Sequence, residues 1–191
     1  MADQSTGGYL SKWLKEQRLK KIGPFVHGHV LDYGCGTGDL LAYCQPNSYI
    51  GYDLDEISIK TAQVKHPQHN FTVDFSSIQE TRNKFDVVVM AAVIEHVENP
   101  LEVLLRLKEL IAPKGIFVLT TPHPKWRQFH DFGANLGFFS KEASEEHKSF
   151  LDYNAFLSLG NKLKLKVLRA ERFLLGANQL FVLTDESNNI E

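Results

Sequence analysis

A short apolar strand that ends in an acid and runs at once into three alternating glycines leaves this chain few folds to adopt. The stretch is Val30-Leu31-Asp32-Tyr33-Gly34-Cys35-Gly36-Thr37-Gly38-Asp39-Leu40-Leu41, and Asp53 closes a second apolar run nineteen residues after Gly34. Glycine is needed where the backbone takes dihedrals closed to other residues, or where a ligand must touch main chain. An acid at the end of the next strand is placed to accept both hydroxyls of a ribose. The combination implies a nucleoside-containing cofactor held at the carboxyl ends of parallel strands. A bare strand-to-helix turn is the alternative, and the register of Asp32 and Asp53 with the glycines argues against it.

Spacing separates two kinds of cofactor. A dinucleotide fingerprint, GxGxxG, counted from Gly34 and Gly36, requires glycine or alanine at position 39, where this chain has Asp39. An acid there is a poor neighbour for a pyrophosphate arriving at a helix N-terminus. S-adenosylmethionine has no phosphate and carries an ammonium and a sulfonium, so acids around the loop suit it. The stretch from Asp32 to Gly38 resembles motif I of class I S-adenosylmethionine-dependent methyltransferases, in the form DxGCGTG, with Asp53 as their acidic second motif. The resemblance implies cofactor contacts from Asp32, Gly34, Cys35, Gly36 and Gly38, and from Asp53 and Leu54.

Further matches extend the resemblance from about Gly28 to Thr184. Phe71-Thr72-Val73-Asp74-Phe75 is similar to the adenine-binding segment, which implies an acceptor at Asp74 for the adenine amino group and a backbone contact at Phe75. A strand-ending Asp in an ordinary turn explains Asp74 equally well. Phe85 to Pro100 is similar to the fourth strand of the type-11 methyltransferases and its (V/L)xEHV(x)(N/D)P continuation. This implies that Ala91 and Ala92 line the methionine part of the cofactor, with Glu95 and His96 at the mouth. Ubiquinone-pathway O-methyltransferases carry an extra Glu at the position of Ala92, so a metal role here is in doubt and none is expected. Ile116 to Pro124 matches the fifth strand, with His123 at its carboxyl end.

The chain reads as one Rossmann-like α/β domain, with a mostly parallel seven-stranded sheet, an antiparallel last strand and helices on both faces. Residues 1–27 form an N-terminal helical segment packing on a domain of residues 28–191, within which 123–150 is an irregular insert or lid at the acceptor site. A helix is expected over 9–22, with Leu10, Trp13, Leu14 and Gln17 on one side and basic residues among the rest. Strands are expected near 29–33, 48–53, 70–73, 85–90 and 115–120. Asn99-Pro100 with Glu102 starts a helix that Pro113-Lys114-Gly115 stops. Leu163 to Val167 alternates, as an edge strand does, whereas Leu180-Phe181-Val182-Leu183 is continuously apolar, as an interior strand is. The short Leu175-Gly176-Ala177 connection makes these two strands antiparallel.

Hydrophobic content of 43% and a net charge of -2 exclude a strongly basic nucleic-acid binder, and no apolar run is long enough to span a membrane. Cys35, in the glycine loop, and Cys44, on the helix expected after it, form neither a disulfide framework nor a zinc site, so a cytoplasmic setting is expected. The expected activity is methyl transfer from S-adenosylmethionine to a small-molecule acceptor, at oxygen first, with carbon or nitrogen open. His96 is the first choice for a base, its imidazole held in one tautomer by a neighbour such as Glu95, and His123 is the reserve. Methylation of tRNA or protein, non-catalytic cofactor binding and a nicotinamide oxidoreductase remain alternatives.

Overall fold

The computed structural model describes residues 8–81, 84–123 and 153–186, with the side chains of 8–10 left out. Helix α1, Gly8–Ile22, precedes a 3-10 turn at Gly23–Phe25 and strand β1, His29–Tyr33. Strand β2 (Ser48–Tyr52), helix α2 (Glu56–Lys65), strand β3 (Asn70–Thr72) and helix α3 (Phe75–Glu80) follow. Next come β4 (Phe85–Ala91), α4 (Pro100–Lys108) and β5 (Ile111–Pro122), and the described chain ends with α5 (Tyr153–Leu163), β6 (Leu165–Phe173) and β7 (Asn178–Asp185). The strands form one sheet in the order β3-β2-β1-β4-β5-β7-β6. Pairs up to β5 are parallel, and β7 lies antiparallel between β5 and β6.

Two apolar layers explain why helices cover both faces. On one face Leu19 and Ile22 of α1 and Ile59 and Ala62 of α2 pack with Val30, Val87, Val118 and Val182. On the other, Ile78, Leu104, Leu107 and Phe156 from α3, α4 and α5 pack with Leu31, Val88, Phe117 and Phe181. Strands buried on both sides need continuous apolar runs, and β7 is buried from Asn178 to Thr184. The expected edge and interior positions of β6 and β7 are therefore observed. Asn99 caps α4 as expected, its Oδ1 accepting the Glu102 N–H at 3.2 Å with Pro100 in the first turn.

Four local expectations are corrected. Helix α4 ends at Lys108, and Pro113 to Gly115 fall inside an irregular part of β5, where the register against β4 shifts. The alternation over 163–167 straddles a boundary, since Leu163 closes α5 and Lys164 leaves it with φ 53°. The loop after β1 opens a single 3-10 turn, Asp39–Ala42, and Cys44 lies beyond it rather than on a helix. Among the described side chains of α1 the buried apolar residues are Leu19 and Ile22, while Trp13 is exposed.

Candidate functional site

The loop after β1 is built from main chain. Gly34 and Cys35 donate their N–H groups to the Tyr52 carbonyl at 2.7 and 3.0 Å, folding the loop over the end of β2. Two of its glycines are needed for different reasons. A Cβ on Gly34 would lie 2.3 Å from Val93 Cγ2, so this position is fixed by the protein's own packing. A Cβ on Gly36, where φ is 52°, would meet nothing within 4 Å, which leaves space for a ligand against bare backbone. Half-buried Asp53 accepts the Gly36 N–H at 2.8 Å and the Asp55 N–H at 3.1 Å, one on each carboxylate oxygen. Each oxygen keeps a lone pair for a ribose hydroxyl.

Charge around the loop is arranged differently from the simplest reading of the sequence. Asp32 is buried, with Oδ2 accepting the Tyr49 hydroxyl at 2.6 Å and Oδ1 without a partner among the described residues. Burial pushes its pKa up to about 7, against the pull of the Tyr49 hydrogen bond. Asp39 is ion-paired with Lys15 at 2.8 Å and with Lys65, and these lysines hold it well below the usual carboxylate range although burial raises it. Its charge is therefore already answered, and repulsion of a pyrophosphate is not what this residue contributes. A stronger obstacle to a dinucleotide is the four-residue 3-10 turn that follows the loop, which offers no α-helical N-terminus to a phosphate.

On the adenine side, Asp74 is exposed and caps α3, its Oδ1 accepting the Ser76 N–H at 2.9 Å. Phe75 stands edge-on to Tyr33 at 5.6 Å, and it lies 5.2 Å from Tyr52, with Tyr33 and Tyr52 4.9 Å apart. Leu54, next to Asp53, is 68% exposed, an apolar surface open to a base.

The ends of β4 and β5 form the remaining wall. Ala91 pairs with Thr120, and Ala92 donates to the Thr120 carbonyl at 2.9 Å while holding φ at 57°, a strained value for a residue with a Cβ. Glu95 follows in a 3-10 turn, Ile94–His96, and is buried. Its carboxyl is met by its own backbone N–H and by the Thr121 hydroxyl. Burial pushes Glu95 up to about 7, and the Arg18 guanidinium and the Thr121 hydroxyl draw it back. His96 is half-buried, whereas His123, at the end of β5, is buried. Sequence reasoning missed Tyr49 and Arg18 as site neighbours, because neither belongs to a motif, and it gave Val93, the first residue of the (V/L)xEHV segment, no role. Residues 124–150 of the expected insert, with Trp126, Arg127, His130 and Glu145 to Lys148, lie outside the described residues.

A methyltransferase-domain family model matches residues 8–169. The chain belongs to the class I S-adenosylmethionine-dependent methyltransferases. The methyltransferase is 29% identical over 123 residues to the ubiquinone biosynthesis O-methyltransferase of Rhodopseudomonas palustris (strain TIE-1), covering 60% of this chain and 47% of that protein. It is 38% identical over 98 residues to the enzyme of that name from Rickettsia bellii (strain OSU 85-389), covering 48% and 41%. It thus spans less than half the length of these curated relatives. Among solved structures it resembles the plantazolicin methyltransferase BpumL in complex with SAH, with a TM-score of 0.70 at 14% identity over 90% of this chain and 84% of that one. It also resembles a complex between the Haloferax volcanii Trm112 methyltransferase activator and a methyltransferase, at 0.70 and 13% over 90% and 89%. At these identities the structural likeness concerns fold. The cofactor of the family is S-adenosylmethionine, and the site suits it. The open space at Gly36 and the orphaned Asp32 Oδ1 ask for a cationic ligand lying on main chain.

Proposed function

We propose that this methyltransferase places a methyl group on a hydroxyl of a small molecule. The observation that carries the reading is the polar edge where β4 and β5 end, at which Glu95 and His123 are buried. We place a small acceptor against that edge, beside Ala91 and Ala92. The names of the curated relatives support oxygen as the receiving atom. The basic segment that would recruit RNA is partly neutralised, since Lys15 and Lys21 of α1 are paired with Asp39 and Glu171. Cys35 and Cys44 are both free thiols, which supports a reducing, cytoplasmic setting. No helix among the described residues is long and apolar enough to cross a membrane.

When bound, S-adenosylmethionine supplies an electrophilic methyl group. The loop, Asp53 and Asp32 position it, and the small side chains of Ala91 and Ala92 leave room for an in-line approach. Proton removal from the hydroxyl falls to a group at this edge, and the sequence puts His96 and His123 forward. The test is incubation with methyl-labelled cofactor and pools of hydroxylated small molecules, alongside tRNA and protein. Label in the low-molecular-weight fraction is expected. Label in RNA or protein alone, or in nothing, overturns the reading.

A further inference from the structure

Strand β1 carries an acid in the middle of the sheet. Asp32 is buried, in register between Gly51 of β2 and Val89 of β4. A carboxylate there is costly unless its oxygens find donors. Oδ2 has one, accepting the Tyr49 hydroxyl at 2.6 Å, a length typical of hydrogen bonds to a charged acceptor. Oδ1 has none among the described residues. Folded proteins pair nearly all buried polar atoms, so a group from outside the chain belongs at Oδ1. An ionised carboxylate only accepts hydrogen bonds, so that group is a donor, as the ammonium of S-adenosylmethionine is.

Tyr49 is fixed by its ring and acts through its hydroxyl. The ring is buried against His69 and Phe71, with centroids 5.6 and 5.7 Å away, so packing places it whether or not the hydroxyl is present. Burial, and then the charge of Asp32, push the phenol well above its usual range, so it remains a donor across neutral pH. The other titratable groups around Asp32 are Asp53 after β2, Lys15 of α1, and the thiols of Cys35 and Cys44. Burial raises both thiols, which leaves them uncharged at neutral pH.

We propose that Tyr49 is a positioning residue for the cofactor: its hydroxyl holds Asp32 ionised, with Oδ1 free to accept from the cationic methionine end of S-adenosylmethionine, so that cofactor capture is linked to a proton. The inference rests on the reading of the glycine loop as the cofactor site and asks nothing of the acceptor. With no ligand, burial holds Asp32 at about 7, so near neutrality part of the protein carries a proton there that an arriving cation displaces. Affinity therefore rises with pH through this range, and binding releases the proton to water. Removing the hydroxyl takes from the charged form its one donor, and the rise moves to higher pH.

The test is calorimetric titration with S-adenosylmethionine between about pH 6 and about pH 9, in the full chain, in Tyr49→Phe and in Asp32→Asn. Titrations in buffers of different ionisation heat count the protons released. The ligand's own ammonium titrates at about 8, and its share cancels when two proteins are compared at one pH. Tyr49→Phe should bind about tenfold or more weakly than wild type at the acid end, and the gap should close toward the alkaline end. Asp32→Asn should bind weakly throughout and lose the wild type's rise. A hydroxyl that only supports the fold would weaken binding by one factor at every pH. Such a constant ratio, or no weakening at all, overturns the assignment. If Tyr49→Phe does not fold, the wild type decides. Release of part of a proton near neutrality, beyond that of Asp32→Asn, supports the linkage, and equal release overturns it. Absence of saturable binding by the wild type removes the site reading and this inference with it, whereas failure to methylate a hydroxyl touches neither.

Discussion

Asp53 serves the fold with the same two oxygens that we propose for the ribose. It holds the Gly36 and Asp55 N–H groups, so Asp53→Ala would unpin the loop as well as remove the ribose acceptors. Asp53→Asn keeps one carbonyl acceptor and is the cleaner probe. It should cut S-adenosylmethionine affinity tenfold or more, since hydrogen bonds to a charged acceptor are each worth about 1.5–3 kcal/mol. Calorimetric titration reads this, and unchanged affinity would remove Asp53 from the ribose site. The glycines should separate by readout. Gly36→Ala meets open space, so its melting temperature should fall only by the cost of a left-handed alanine, about 1–2 kcal/mol, while cofactor affinity collapses. Gly34→Ala drives a Cβ into Val93 and should fail in folding first. The reverse ranking would make Gly36 a structural turn. The sequence puts glycine at both positions; only the structure shows that one is constrained by Val93 and the other faces open space.

Elements were legible where one local rule decided them. Continuous apolar residues put β7 in the interior, and the Asn99-Pro100-Glu102 pattern started α4 where the structure starts it. Elements were misread where tertiary contacts decided. Helix α1 looks basic and loosely amphipathic, yet Ile22 is fully buried and two of its lysines, Lys15 and Lys21, are spent on acids from other elements, a pairing that no spacing along one helix reveals. The glycine loop promised a helix and opened a single 3-10 turn. In the sequence Asp39 likewise looks like a free charge, because Lys15 and Lys65 lie far from it along the chain. If α1 is an integral part of the site wall, Ile22→Ala should cost about 2–5 kcal/mol of stability, as large-to-small changes in packed cores do. Chemical denaturation measures it, and a loss under about 0.5 kcal/mol, the range of ordinary surface substitutions, would mean that the helix is only loosely docked.

For the whole molecule, the strand order, the antiparallel β7 and the open glycine loop set out the carboxyl edge that we propose for the cofactor, with α1 packed in one of the two apolar layers. A net charge of -2, with much of the basic helix paired internally, leaves little long-range attraction for polyanions. The central claim is that this edge takes S-adenosylmethionine and not a dinucleotide. It is tested most directly by calorimetric titration of the full chain with S-adenosylmethionine and, separately, with NADH. The account predicts saturable binding of one S-adenosylmethionine per chain, weakened tenfold or more by Asp53→Asn, and no heat of binding with NADH. Saturable NADH binding with none for S-adenosylmethionine would contradict it.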